Sequence, residues 1–323
     1  MELSIIIVNW NSLTYVRKCL LSVYQHLGDM SFEIIVVDNA SPDPGIDSLK
    51  EQFPNVLIIK STVNLGFAGA NNLGFRRSTG RYTLFLNPDT QLVDNAVQTM
   101  LGATESIPDV GVIGCKLLNT DLSIQTSSIQ TFPTITNQLL DYEYLHLRWP
   151  RCSFWNIGPL FSDDTAPVPV QVISGACMLM KREVFEQAGM FTEDYFMYAE
   201  DLDLCYKVKR LGFDNYYVGQ AQVIHHGGQS SNRMNVSNWS TIMRYSAVHR
   251  FCIKREGSLY GSLFRVAMGC AALFRLILLL LAKPFAANDL RKQSIKKATS
   301  KWLAVLKWSY AANSALLKVS TQR

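Results

Sequence analysis

Four short stretches carry side chains able to do ionic or metal chemistry: Asp38, Asn87-Pro88-Asp89, Glu200-Asp201 and His225-His226. Two of the acids close strands. Asp38 ends the run Glu33-Ile-Ile-Val-Val37, and Asn87-Pro88-Asp89 ends Tyr82-Thr-Leu-Phe-Leu86, both short apolar and β-branched segments of the kind that form buried strands. A carboxylate in that position stands outside the sheet edge, where open α/β folds bind ligands. Taken singly, such an Asp is also an ordinary turn residue or helix N-cap. Glu200 and Asp201 open a stretch with apolar residues at 202, 204, 208 and 211, which predicts a helix to about Leu211. Acids in a first turn complement the helix dipole by default. One of them can equally take a proton from an attacking hydroxyl, while Asp203 reads as helical surface or a cap partner. His225 and His226 follow the strand-like Ala221-Gln-Val-Ile and precede Gly227-Gly228; strand alternation turns the two imidazoles opposite ways.

The elements that must position these groups begin with a strand at Leu3–Val8, a helix at Leu13–Leu27 and a strand at Glu33–Val37. That succession is a right-handed βαβ unit on a parallel sheet. A nicotinamide-dinucleotide site is excluded, because the first turn, Asn9-Trp10-Asn11-Ser12, lacks the glycines that let a pyrophosphate approach a helix N-terminus. A third strand, Val56–Ile59, leads into Asn64-Leu-Gly-Phe-Ala-Gly-Ala-Asn-Asn72. Its small residues suit close backbone approach to a phosphate or ribose, or tight helix–sheet packing. After the Tyr82–Leu86 strand the pattern predicts a helix over Thr90–Thr104 and a strand at Gly111–Leu118. The segment from about Gln125 to Pro169 is irregular and rich in Pro and Trp, a mobile or acceptor-side insertion. Strand character returns over Val170–Met180, a short helix over Lys181–Phe191, and two short strands over 213–219 and 221–224.

The order of Ser4-Ile-Ile-Ile-Val-Asn-Trp-Asn11, Val36-Val-Asp-Asn-Ala-Ser41, Asn64 to Asn72 and Leu86-Asn-Pro-Asp89 resembles family-2 glycosyltransferases of the GT-A fold, nearest the rhamnosyltransferase-like branch. The resemblance runs from residue 3 to about 231. It implies an α/β, Rossmann-like, mostly parallel sheet flanked by helices. It also implies an inverting transferase that moves a sugar from a nucleotide donor, dTDP-L-rhamnose or a UDP-hexose, to a glycan or lipid-linked acceptor. On this pattern Asn9, Asp38, Asn64, Asn72, Asn87 and Asp89 line the nucleotide sugar. Asp89, the surviving acid of a relaxed Asp-x-Asp with Asn87 at its first position, joins His225 on a Mg²⁺ or Mn²⁺. Asp201 is the implied general base, with Glu200 beside it, and the loop from Gly227 to Asn232 closes over the donor. A nucleotide-sugar-binding protein with a degenerate site is the competing class, motivated by Asn87.

Composition sets the remaining bounds. A hydrophobic share of 48% and a charged share of 18% describe a packed chain. The formal charge of +5 hides an asymmetry: from Arg250 onward, 14 Lys or Arg face only Glu256 and Asp289, a net +12, which leaves −7 on the rest. An acidic body argues against nucleic acid, and a basic tail argues for an anionic surface. The seven cysteines are dispersed without a CxxC pair, so buried free thiols in a reducing cytoplasm are expected, and no secretory leader is visible. A boundary near 235 separates a catalytic domain, 1–235, from a basic, amphipathic helical region, 236–323. There Leu263–Phe285 is strongly apolar but interrupted by Arg265 and Arg275. A central Arg makes a clean span costly, so an interfacial or re-entrant helix on the inner face of the cell membrane is expected. The alternative is helices that pack on the body or on a partner in a homodimer.

Overall fold

A computed structural model describes residues 1–162, 164, 166–227, 238–285 and 288–311, in two compact units. The first comprises Met1–Phe132, Tyr142–Phe196 and Glu200–Arg233; the second comprises Pro133–Asp141, Met197–Ala199 and Met234–Arg323. In chain order the first unit opens with β1 (Leu3–Asn9), α1 (Leu13–His26), β2 (Phe32–Asn39), α2 (Leu49–Gln52), β3 (Leu57–Ser61), α3 (Gly66–Phe75) and β4 (Tyr82–Leu86). It continues with β5 (Thr90–Val93), α4 (Ala96–Ser106), β6 (Val110–Leu118) and β7 (Ile129–Gln130). The chain then passes through α5 (Ile135–Leu139) of the second unit and returns as α6 (Glu143–Arg148), β8 (Val168–Val170), β9 (Val172–Ile173), β10 (Cys177–Lys181), α7 (Arg182–Gln187), α8 (Glu200–Arg210) and β11 (Asp214–His225). The second unit is completed by α9 (Trp239–Glu256), α10 (Ser258–Ala282) and α11 (Asp289–Tyr310).

The sheet order is β3-β2-β1-β4-β10-β6-β11-β5, with β8 added on β11. β3, β2, β1 and β4 run parallel. In β1, β2 and β4 the runs are largely apolar without strict alternation, as in parallel strands buried on both faces, and Ile5, Ile6 and Ile7 are all fully buried; β3, at the sheet edge, is partly exposed. The chain fills β2 on one side of β1 and β4 on the other, so strand order reverses between β1 and β4. The crevice outside such a reversal is where α/β sheets take ligands. Asn9 pairs in register with Asp38, which brings the first two strand tips together.

The expected mostly parallel sheet holds for this half. Beyond β4 it is mixed, since β10 is antiparallel to both β4 and β6, and β11 is parallel to β6 but antiparallel to β5 and β8. Three readings of local structure change accordingly. Thr90–Val93 is a strand rather than the start of a helix, because its alternating burial suits pairing with β11. The two short strands expected over 213–224 are one, β11, with an irregularity between Val218 and Gln222. The Gln125–Pro169 segment holds β7, α5, α6 and a turn of 3₁₀ helix at Gly158–Phe161, with a Thr134 capping box opening α5.

In the second unit Trp308 is nearly fully buried among Phe264, His249 and Tyr245. The two arginines of α10 face inward. Arg265 lies over the Trp308 ring and donates to Trp308 O at 2.8 Å. Arg275 is 8% exposed, stacks 4.3 Å from the Trp302 ring centroid and donates to Leu139 O at 2.8 Å. They therefore do not interrupt the outward face of α10, where Leu259, Leu263, Val266, Leu273, Phe274, Ile277 and Leu280 are exposed. Ser258–Phe285 is long and apolar enough to cross a membrane by length and composition.

The start of α3 rests on one glycine. Gly66 has φ +71°, and a Cβ there would stand 2.3 Å from Phe196 O. Gly66→Ala is expected to destabilise the fold by about 2 kcal/mol, read as a lowered Tm; an unchanged Tm would show that the Phe196 backbone yields freely.

Candidate functional site

At the carboxyl edge of the parallel strands, Asn9 is a brace. Its Nδ2 donates to Asp38 Oδ1 at 2.8 Å and to Ser41 Oγ at 3.1 Å, and its Oδ1 accepts from Ser12 N at 3.1 Å. Asp38 is thus fixed at the tip of β2 with only 6% exposure. Asn39, not singled out from sequence, does comparable work on the other side of β2. Its amide donates to Asn64 Oδ1 and Gly66 O and accepts from Leu65 N at 2.8 Å, which sets the loop before α3. The adjacency Asp38-Asn39 at a strand end was the available signal. Asn64 spends its oxygen on this loop through Gly66 N at 2.9 Å. Asn72 is not brought to the strand tips: its amide is committed to Phe191 O, Phe191 N and Glu193 Oε1.

The Asn87-Pro88-Asp89 turn is held from three directions. Asn87 N donates to Ala176 O at 2.9 Å, Thr90 Oγ1 donates to Asn87 O at 2.6 Å, and Cys19 Sγ approaches the same oxygen at 3.8 Å. Burial pushes the Cys19 thiol up to about 12, so it is a neutral packing group and not a nucleophile. The antiparallel register of β11 on β5 sets His225 opposite Thr90. His225 Nε2 then faces Asp89 Oδ1 at 3.3 Å, with Asn87 Nδ2 3.5 Å away.

Gln125 fixes the tautomer. Its Nε2 donates to His225 O at 2.6 Å, so its Oε1, 3.0 Å from His225 Nδ1, accepts the ring proton. With the proton on Nδ1, Nε2 presents its lone pair toward Asp89 Oδ1 and Asn87 Nδ2, the tautomer in which an imidazole can ligate a metal. His226 turns elsewhere, to Gln91 Oε1 at 2.7 Å and the Tyr15 ring, and burial followed by Lys18 holds it below the usual imidazole range.

Asp89 and His225 offer one hard oxygen and one imidazole, a donor pair that would suit a Mg²⁺ or Mn²⁺. No group of three or more His, Cys, Asp or Glu suited to a metal occurs among the described residues.

Three acids open α8 and occupy three environments. Asp201 Oδ2 accepts from Gly175 N at 3.0 Å and Oδ1 from Leu202 N at 2.8 Å. Burial raises its carboxyl above the usual range, and these amides partly offset that. Glu200 is 6% exposed and its Oε2 has no hydrogen-bond partner among the described residues. Burial, then the Asp201 charge, pushes its carboxyl well above the ordinary value. Both carboxyls are thus pushed upward, Glu200 without the backbone amides that offset the rise at Asp201. Asp203, expected at the surface, is instead fully buried and accepts from Thr192 Oγ1 at 2.5 Å. Tyr198 and Ala199, directly before Glu200, have φ 69° and 62°, a left-handed approach that non-glycine residues seldom adopt.

Asp201 and the Asn87–Asp89 turn are joined by a short relay: Gly175 donates to Asp201, and the next residue, Ala176, accepts from Asn87. The loop 228–232, expected to close over a ligand, lies outside the described residues.

The family model described as glycosyl transferase family 2 matches residues 4–189. The chain is 28% identical over 211 residues to an N-acetylglucosaminyl-diphospho-decaprenol L-rhamnosyltransferase of Mycobacterium tuberculosis, covering 62% of this chain and 68% of that protein. It is 25% identical over 273 residues to rhamnosyltransferase WbbL of Escherichia coli, covering 80% and 98% respectively. In fold it is similar to a mannosyltransferase from Pyrobaculum calidifontis solved with GDP-Man and Mn²⁺, with a TM-score of 0.54 and 16% identity over 96% of this chain and 87% of that one.

The raised Glu200 carboxyl has a stability signature. The folded state favours its proton, so wild-type stability falls as pH rises from the ordinary carboxylate range through the raised value. Glu200→Gln removes that cost. Its Tm advantage over wild type is expected to be smallest near pH 4 and to grow toward pH 8; a gap independent of pH would place an unshifted carboxyl at this position.

Proposed function

We infer the reaction from one premise: this chain belongs to glycosyltransferase family 2. The proposed reaction moves L-rhamnose from dTDP-L-rhamnose to a hydroxyl of a glycan carried on a lipid diphosphate, with inversion. The names of the mycobacterial and Escherichia coli relatives support the sugar, and the former supports the acceptor class. Asp38, braced by Asn9, meets the base or ribose, with Asn64 on the neighbouring loop. Asn87 faces the diphosphate beside Asp89 and His225, which lie 3.3 Å apart and would hold the divalent cation. When bound, that ion supplies positive charge against the departing diphosphate.

Asp201 takes the proton of the acceptor hydroxyl. The acceptor oxygen bonds to the anomeric carbon as its bond to the diphosphate oxygen breaks, and the nucleoside diphosphate leaves. Glu200, whose carboxyl burial and the Asp201 charge push upward, lies beside the base and orients the acceptor. The observation that carries this reading is the relay from Asp201 through Gly175 and Ala176 to Asn87, which ties the base to the turn that meets the leaving group.

The test is nucleoside diphosphate release by purified protein with Mg²⁺ or Mn²⁺, a lipid-linked acceptor extract and a panel of dTDP- and UDP-sugars. Asp201→Asn is expected to lower kcat by about 10²–10⁴-fold with donor affinity kept, and His225→Ala to raise the metal concentration required. A UDP-hexose as the active donor would replace rhamnose; donor binding without turnover, indifferent to Asp201→Asn, would favour a binding protein instead.

The second unit is proposed to meet the anionic inner face of the cell membrane from the cytoplasm. The apolar outward face of α10 and the five basic residues of Arg291–Lys301 on α11 supply both components of interfacial binding. Flotation with phosphatidylglycerol vesicles is expected, weakened by salt and lost in Phe274→Glu/Ile277→Glu. Equal flotation of that double variant would remove α10 from the contact.

A further inference from the structure

The insertion between α6 and β8 builds a feature that the transfer chemistry above does not use. Trp149, Trp155 and Phe161 wall an open cavity of about 610 Å³, and Arg148 and Arg151 lie on its lining. Trp155 is 7% exposed and fixed, its Nε1 donating to Trp149 O at 2.7 Å while the His146 ring packs 5.0 Å away. Arg148 stacks 5.6 Å from the Trp149 ring centroid. Neither guanidinium has a carboxylate partner among the described residues, although this unit as a whole is acid-rich. In the same segment Tyr144, Leu147, Trp149, Phe154 and Phe161 are exposed large apolar side chains.

Two guanidiniums without a carboxylate partner among the described residues, beside aromatic walls, match a ligand that joins a strong anion to an apolar or sugar body. The planar fork of Arg suits phosphate oxygens, and aromatic faces take hydrocarbon or the C–H face of a sugar. The cavity is also tied to the proposed base. Thr131 Oγ1 donates to Phe154 O at 3.0 Å; Thr131 follows β7, which pairs with β9, and Ser174 N donates to Ser128 O at 3.1 Å. The next residue is Gly175, whose N–H holds Asp201.

We propose that this cavity seats the diphosphate and first isoprene units of a polyprenyl-linked acceptor, with Arg148 and Arg151 on the phosphates and Trp149, Trp155 and Phe161 against the apolar body. This rests on the lipid-diphosphate acceptor of the reading above. The ligand is committed to the carrier and not to the donor, whose diphosphate is assigned to Asp89 and His225 on the strand edge.

The test titrates the full chain with farnesyl diphosphate, following tryptophan fluorescence, with dTDP affinity measured in parallel by calorimetry. Arg148→Ala/Arg151→Ala is expected to weaken farnesyl diphosphate at least about tenfold with dTDP affinity and Tm unchanged, and Arg148→Lys/Arg151→Lys to restore part of the loss. An unchanged farnesyl diphosphate affinity overturns the proposal. So does an equal loss of dTDP, which would mark a donor subsite. Farnesol binding as tightly as farnesyl diphosphate would show an apolar surface only, and inorganic pyrophosphate binding as tightly would show an anion site only; either overturns it. Absence of any nucleotide-sugar turnover, by contrast, would strike the transferase reading and leave the cavity result standing.

Discussion

The arrangement depends on one antiparallel strand. β10 lies between β4 and β6 against the direction of both, with Cys177 paired to Leu86. A strand inserted in reverse delivers its entrance, not its exit, to the carboxyl edge of the parallel set. That entrance is Ser174-Gly175-Ala176, and its amides and carbonyls bind Asp201 on one side and Asn87 on the other. Were β10 parallel, the same loop would lie at the opposite edge, and Asn87 and Asp201, more than 100 residues apart in the chain, would have no common support.

How far this was legible in the sequence follows the same division. β1, β2 and β4 are continuous apolar runs, and buried parallel strands announce themselves that way, so their tips, Asn9, Asp38 and Asp89, could be read directly. The antiparallel half gives weaker signals. Thr90–Val93 is too short to show its alternation against the helix that follows, and β11 changes partners along its length. Gln125 was invisible because its role comes from a contact 100 residues away with His225, in a segment without periodicity. Asn72 and Asp203 show the converse. Asn72 stands in a recognised pattern that suggests ligand contact, and Asp203 reads as helical surface or a cap partner, yet both are buried ties between segments.

The opening turn of α8 shows how little residue type decides. Glu200, Asp201 and Asp203 lie within four residues at one helix start, where the backbone dipole favours all three alike. Their differences arise from what each meets after folding: an unpaired buried oxygen for Glu200, two backbone amides for Asp201, and the Thr192 hydroxyl for Asp203. A common origin in local sequence thus yields three carboxyls in three different environments. The left-handed pair Tyr198-Ala199 turns the chain sharply enough to start a helix there.

The contact at Gly66 has a reach beyond packing. With no side chain between them, the loop that precedes α3 and the segment that leads toward α8 meet backbone to backbone, and Phe67 N donates to Phe196 O at 2.9 Å. The first loop is set by Asn39 and Asn64, near the proposed nucleotide; the second ends a few residues before the proposed base. Close-packed backbone has no side chain to absorb a movement, so a displacement of either loop must be met by a displacement of the other.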